Sequence, residues 1–251
     1  MTLQVRAEPG QEARGREIDH YLRAHGYRHL GEAPLVLEVG AHGLSLIREE
    51  GRRELRLHLD FATGRQGYRL AHSGHQREGL IRAMGNIPRD SHVVDATAGL
   101  GRDTLLLAAH GFRVDAWERH PVVYLLLADA LQRAAHDEAL APIVERITLH
   151  AGLATPATLG TPPVAAVFDP MFPERAKRAA VKKDMQLTQA LMEGAPDPDP
   201  ETTLQRLREA ATRRVVVKRP LHAPALGPDT PQGSVRGKSV RFDVYAPTVH
   251  A

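Results

Sequence analysis

The chain has 251 residues, 42% hydrophobic, 25% charged and only 4% aromatic, with 21 Gly, 18 Pro and no Cys. That is a globular composition for one or two domains, long enough to bury a core unaided, and the lack of Cys excludes disulfide frameworks, zinc ribbons, iron–sulfur clusters and thiol nucleophiles. The formal net charge is +3, yet nine Lys/Arg against three Asp/Glu lie between Arg206 and the C-terminus, leaving the first 205 residues at −3. A basic end suits a polyanionic partner through counterion release, although charge alone favours a plain solvated surface. The longest apolar runs, such as Val122 to Ala128, fall far short of the ~20 residues of a spanning helix. The N-terminus lacks a basic-then-apolar leader pattern, so a cytoplasmic protein with no membrane partner is expected.

Residues 1 to about 30 are polar, with weak helical spacing at Ile18, Tyr21 and Leu22, and carry no assignable element. Alternation then becomes clear: Leu35, Leu37 and Val39, a turn at Ala41-His42-Gly43, Leu44, Leu46 and Ile47, then Leu55, Leu57, Leu59 and Phe61 before Ala62-Thr63-Gly64. This pattern predicts three or four short antiparallel strands ending near Leu70. A helix from about Arg77 to Met84 follows, closed by Gly85 and Pro88.

From His92 the pattern changes to short apolar runs separated by helical stretches, the mark of a parallel α/β sheet. Strands are expected at His92 to Asp95, Phe112 to Trp117, Ile147 to His150, Val164 to Phe168, Arg214 to Lys218 and Val240 to Tyr245. Helices are expected at Arg102 to Ala109, Val122 to Ala135, Arg175 to Met192 and Thr202 to Ala211, with Pro196 to Pro200 a loop. The expected organisation is a β-rich unit over residues 1–72, a connecting helix over 73–89 and an α/β domain over 90–251.

The chemistry-bearing residues cluster after these strands. The first ends in Asp95-Ala96-Thr97-Ala98-Gly99-Leu100-Gly101-Arg102-Asp103. Small residues between strand and helix let a cofactor approach the backbone, and the helix start offers free N–H groups. A dinucleotide fingerprint would place a third glycine where Thr104 stands, which disfavours NAD. Asp95, Gly99 and Gly101 with Glu118 at the end of the next strand suit a ligand with a positive centre and a free ribose, and S-adenosylmethionine (SAM) fits. A glycine turn alone would be a purely structural feature; the spacing to Glu118 is what favours a cofactor.

The fourth strand runs into Asp169-Pro170-Met171-Phe172-Pro173. Proline cannot continue a central strand, so the chain breaks at the edge where α/β proteins bind ligands. A nucleobase amine has its lone pair delocalised into the ring. Acceptors from Asp169 and the Pro170 carbonyl would hold its N–H groups, and Phe172 would stack on the base. The bland alternative is a strand-capping Asp-Pro with a buried Phe. Beyond this loop lie Arg175, Lys177, Arg178, Lys182 and Lys183, and Lys218-Arg219 ends the fifth strand; these are candidate phosphate contacts, with a solvated charged face as the alternative for the helix. The fourteen histidines form no metal-ligand spacing and no nucleophile elbow is present, so no metal site is expected.

Together these residues resemble the ribosomal RNA small subunit methyltransferase J family. The resemblance is carried by VVDATAGLGRDT (93–104), WERHPVV (117–123), FDPMFPERAKRAAVKK (168–183), VVVKRP (215–220) and RFDVY (241–245), with LVLEVGAHGLSL and LHLDFATG in the N-terminal part. It implies an α/β, Rossmann-like class I SAM-dependent methyltransferase domain with a small N-terminal β-rich unit, acting on the exocyclic N2 of a guanosine in 16S rRNA or the small ribosomal subunit. It further implies that Arg102, Asp103, Glu118, Arg119 and Asp169 line the cofactor site, with a backbone contact at Gly152, where Ala151-Gly152-Leu153 lacks the family's usual serines. Before the connecting helix, Ser73-Gly74-His75-Gln76-Arg77 replaces the family's glycine-rich run, which puts RNA contacts there in doubt. Asp169, Pro170 and Phe172 are expected to hold the base, and Lys182, Lys183, Lys218 and Arg219 the RNA. Two alternatives stay open: methylation of another nucleobase amine, such as adenine N6 or a guanine in other RNA or DNA, and an RNA-binding module that keeps the fold without turnover.

Overall fold

A computed structural model describes residues 3–28, 34–50, 53–62, 78–170, 183–192 and 199–248. In chain order the elements are β1 (Gln4–Ala7), α1 (Glu12–Ala24), β2 (Leu35–Gly40), β3 (Gly43–Glu50), β4 (Arg53–His58), α2 (Gly79–Met84), β5 (His92–Asp95), α3 (Arg102–His110), β6 (Arg113–Glu118), α4 (Pro121–Ala134), α5 (Ala141–Val144), β7 (Ile147–Ala151), α6 (Pro156–Leu159), β8 (Ala165–Phe168), α7 (Lys183–Met192), α8 (Pro200–Ala210), β9 (Arg214–Pro220), β10 (Gly233–Arg236) and β11 (Val240–Tyr245). Among the described residues no helix is long and apolar enough to cross a membrane.

The strands form two sheets, a four-stranded one in the order β1-β2-β3-β4 and a seven-stranded one in the order β10-β11-β9-β8-β5-β6-β7. In the large sheet β5, β6, β7, β8 and β9 are parallel, and β11 and β10 are antiparallel. The sequence pattern led to parallel strands throughout. The last two differ because residues 221–239 supply no crossover helix, which parallel pairing requires, and β10 instead forms a hairpin with β11 closed by the Gly237 N–H bond to the Val240 carbonyl. Strand order reverses between β5 and β8, so the crevice outside their carboxyl ends is where such a sheet receives ligands.

Side-chain alternation splits the core cleanly. Val93, Ala165, Val167 and Val216 face one cluster, which contains α2, α3, α4 and the inner face of the small sheet; Val94, Ala166, Phe168, Val215 and Val217 face the other, with Leu204 and Leu207 of α8. This two-residue period buries both faces of the parallel strands. Helix α4 lies in the seam between the sheets. Its Asp129 accepts from the Leu44 amide of β3 at 3.0 Å, from Arg133 at 3.0 Å and from Arg14 of α1. The small sheet thus shares one continuous apolar core with the large one, and Phe61, 2% exposed, extends that core toward the loop after β5.

Several local expectations change. Strand β1 pairs parallel to β2 across α1, in a region the sequence left unassigned, because a four-residue edge strand takes its identity from a partner 32 residues away. The loop expected through Pro200 yields to a helix starting there: Asp199 caps it by accepting from the Glu201 and Thr202 amides, and proline suits the first helical position. The short helices α5 and α6 were not expected; the latter is fixed by a Thr155/Thr158 capping box. Helix α2 packs against β9, β10 and β11, making it part of the large sheet's covering layer. Its expected start at Arg77, the segment 73–77, the continuation toward Leu70 and the first part of the helix drawn from Arg175 lie outside the described residues.

Candidate methyltransferase site

Every strand that feeds the switch point ends in a residue singled out by the sequence. Asp95 ends β5 and the loop to Gly101 follows it, Glu118 ends β6 with Arg119 next, Gly152 follows β7, Asp169 and Pro170 follow β8, and Lys218 lies near the end of β9. Hydrogen bonds sew these ends together. The Asp169 amide donates to Thr97 Oγ1 at 2.8 Å, the Gly99 amide donates to Glu118 Oε2 at 2.8 Å, and the Gly152 amide donates to the Glu118 carbonyl at 2.8 Å.

Glu118 is 5% exposed, and its other oxygen accepts from the His120 amide at 2.7 Å. Burial raises its pKa, while the His120 and Gly99 amides oppose that rise. With the Arg119 amide as a third backbone donor, one of the roughly four carboxylate acceptor positions is left over, so this acid retains capacity for a ribose hydroxyl. Beside it, a Cβ at Gly152 would meet nothing within 4 Å, and φ of +105° there favours glycine. This open ground next to an acceptor fits SAM. Arg102, exposed at the first position of α3, Asp103 in the same turn and half-buried Arg119 flank the same edge.

Two expected cofactor residues face inward instead. Asp95 is 1% exposed and accepts from Thr104 Oγ1 at 2.6 Å and from the Thr97 amide at 3.1 Å, which spends it on shaping the loop. Burial pushes its pKa up to about 7 against those bonds. Threonine at position 104 is therefore the internal partner of Asp95. Gly101 has φ +75°, and a Cβ there would lie 2.6 Å from Leu127 Cδ1 and 3.3 Å from Phe61 Cζ. Its glycine serves a left-handed helix start pressed against the core floor, not access for a ligand.

The expected RNA contacts are redistributed as well. Arg219 is 4% exposed, and its Nε and Nη2 donate to the Pro224 carbonyl at 3.1 and 2.7 Å, so it fastens the 220–226 loop and cannot reach a phosphate. Lys218 points into the site, with Nζ 2.8 Å from both Asp103 Oδ2 and Asp169 Oδ2. Asp169 is held at its amide by Thr97 and at one oxygen by Lys218, and burial raises its pKa while Lys218 pulls it back. Phe172 and Lys182 lie outside the described residues, and Lys183 is described only as the first residue of α7. Thr97 was missed by the sequence reading. Its signal was a hydroxyl two residues beyond the strand's last Asp, in reach of the neighbouring strand end.

Comparison with known proteins decides the family. The model of a SAM-dependent methyltransferase family matches residues 21–247. Ribosomal RNA small subunit methyltransferase J of Thioalkalivibrio sulfidiphilus is 44% identical over 219 residues, 84% of each chain, and that of Edwardsiella ictaluri is 42% identical over 98% of each chain. The chain belongs to the ribosomal RNA small subunit methyltransferase J family. A crystal structure of a SAM-dependent methyltransferase from Neisseria gonorrhoeae superposes with a TM-score of 0.66 at 28% identity, covering 99% of this chain and 98% of that one. The class I methyltransferase fold and the use of SAM expected from the motifs are thus family properties, and the chain is a methyltransferase.

Proposed function

We propose that the protein transfers a methyl group from SAM to the exocyclic N2 amine of a guanosine in 16S rRNA of the small ribosomal subunit, in the cytoplasm. The observation that carries this reading is the placement of Asp169, locked through Thr97 and Lys218 to the cofactor loop at the switch point of the sheet. SAM when bound supplies a methyl group on a sulfonium. The chain's own work is to orient the amine. Asp169 and the Pro170 carbonyl accept its N–H groups, which draws the nitrogen lone pair out of conjugation and aims it at the methyl carbon. With SAM held, the amine would take the methyl group, leaving the neutral thioether S-adenosylhomocysteine, and would release one proton to Asp169 or to solvent. Phe172 is assigned to stack on the extruded base. Glu118 would hold a ribose hydroxyl, Gly99 and Gly152 would give backbone access, Arg102, Asp103 and Arg119 would border the cofactor, and Lys182 and Lys183 are assigned to RNA phosphates. Positioning of this kind supplies much of the acceleration in a displacement between two bound reactants. We read residues 1–72 as the β-rich unit, 73–89 as the connection and 90–251 as the methyltransferase domain.

The test is incubation of the purified protein with methyl-labelled SAM and small subunits lacking their methyl marks, followed by digestion to nucleosides. Label in N2-methylguanosine from 16S rRNA, lost in Asp169→Ala, is the expected result. Label confined to transfer RNA or DNA would overturn the substrate, and label in N6-methyladenosine would overturn the target amine.

A further inference from the structure

A lysine is an expensive choice at position 218. It follows three valines that are fully buried, on a strand paired on both sides, by β8 and β11. Its side chain is only a quarter exposed, and an ammonium held partly out of water is disfavoured unless it is paired. Here the pairing is double. Because Phe168 is aligned with Val217, β9 delivers Lys218 alongside Asp169, and its Nζ reaches Asp103 on α3 at the same 2.8 Å. Asp95, at the end of β5, feels both Asp103 and Lys218. Two carboxylates, Asp103 on α3 and Asp169 after β8, thus share this one ammonium.

We infer that Lys218 is a positioning residue for methyl transfer: by holding Oδ2 it keeps Asp169 ionised, leaves Oδ1 to the target amine, and ties that acid to the helix opening the cofactor site. The inference rests on Asp169 being the acceptor of the amine. Its physical basis is the charge balance. Without the ammonium, Asp169 and Asp103 would face each other in a partly buried crevice, where like charge and desolvation both favour protonation. A protonated Asp169 would present an O–H to a substrate whose N–H groups also donate, and acceptance would fail. Lys218 is suited to the task. Burial lowers its pKa, but Asp103 and Asp169 outweigh burial and hold it above the ordinary lysine value, so it stays charged across the neutral range.

The experiment measures methyl transfer to unmethylated small subunits from pH 5 to 9 for the wild type, Lys218→Met, Lys218→Gln, Lys218→Arg and Asp169→Asn, with thermal melts and calorimetric SAM affinity for each. Lys218→Gln keeps a donor and stands in if the methionine variant fails to fold. The expected result is a fall in kcat of about 10- to 100-fold at pH 7 in the uncharged variants, with KM for subunits changed less than about threefold. Their acid limb moves up by about one pH unit or more, so that activity partly returns at high pH, and Lys218→Arg restores the wild-type limb. A loss that is uniform across pH, or a rise in KM with altered salt dependence and unchanged kcat, would overturn the inference, the second outcome making Lys218 an RNA contact. Near-normal turnover in Asp169→Asn would instead show that the carboxylate charge is dispensable and sink the reading beneath it. An inactive Asp169→Asn with an unshifted limb in the Lys218 variants would sink the inference alone.

Discussion

Asp129, in the seam between the two sheets, is a side chain only 3% exposed that receives three donors: the Leu44 amide, Arg133 and Arg14. Burial pushes its pKa up, but these partners push harder and hold it below the ordinary carboxylate value. Asp169, at the crevice, has a side chain 40% exposed and shares a single lysine with Asp103; there burial prevails and the pKa is raised. The seam carboxylate is 3% exposed with a donor on each oxygen, so it is committed to joining α1, β3 and α4. The crevice carboxylate keeps acceptor capacity in reserve and responds to protonation, which is the condition of a group that must bind something else.

Breaking each acid in turn should give opposite phenotypes. The largest effect expected is in Asp169→Ala, where kcat for methyl transfer falls by about 10³-fold, with a much smaller loss of SAM affinity by calorimetry and a melting temperature close to wild type. Asp129→Ala should reverse this. Removing the acceptor strands a buried amide and two guanidinium groups, costing about 3 kcal/mol and roughly 6–12 °C in melting temperature for a chain of this size, with kcat preserved below the transition.

Gly101→Ala sharpens the contrast, because it strains the place where seam and crevice meet. A left-handed φ and a Cβ 2.6 Å from Leu127 Cδ1 should cost about 2 kcal/mol, read by denaturant titration, with a weaker SAM affinity as the loop shifts. A purely pH-dependent effect is expected at Asp95. Its folded pKa of about 7 stands above the ordinary 3.8, so the folded state holds the proton more tightly than the unfolded chain. Stability from this group is therefore lost as pH rises between those values. Asp95→Asn should flatten that slope in melting temperature measured from pH 4 to 7.5, and an unchanged slope would assign it to other groups.

Much of the large sheet was legible in the sequence, because strands buried on both faces read as short apolar runs and their ends carry turn chemistry. His92–Asp95 and Val240–Tyr245 agree with the expected bounds to the residue. The start of α8 was also written locally, in Asp199-Pro200, though read as a loop. What was not legible depends on partners distant in sequence. Strand β1 exists through β2, and the antiparallel direction of β11 through its fit beside β9. The site divides in the same way. Glu118 and Asp169 could be chosen from spacing along the chain, whereas the inward turn of Lys218, the burial of Arg219 and the role of Thr97 depend on which strand ends become neighbours.

The sequence by itself determined the family, the cofactor loop and the acids at the ends of β5, β6 and β8, since those follow from residue type and short-range spacing. Only the tertiary structure decided which polar groups spend their hydrogen bonds inside the protein and which keep them for a ligand. A carboxylate's availability is set by the donors around it, and here those donors come from strands and helices brought together by the sheet order, a relation that no local pattern encodes.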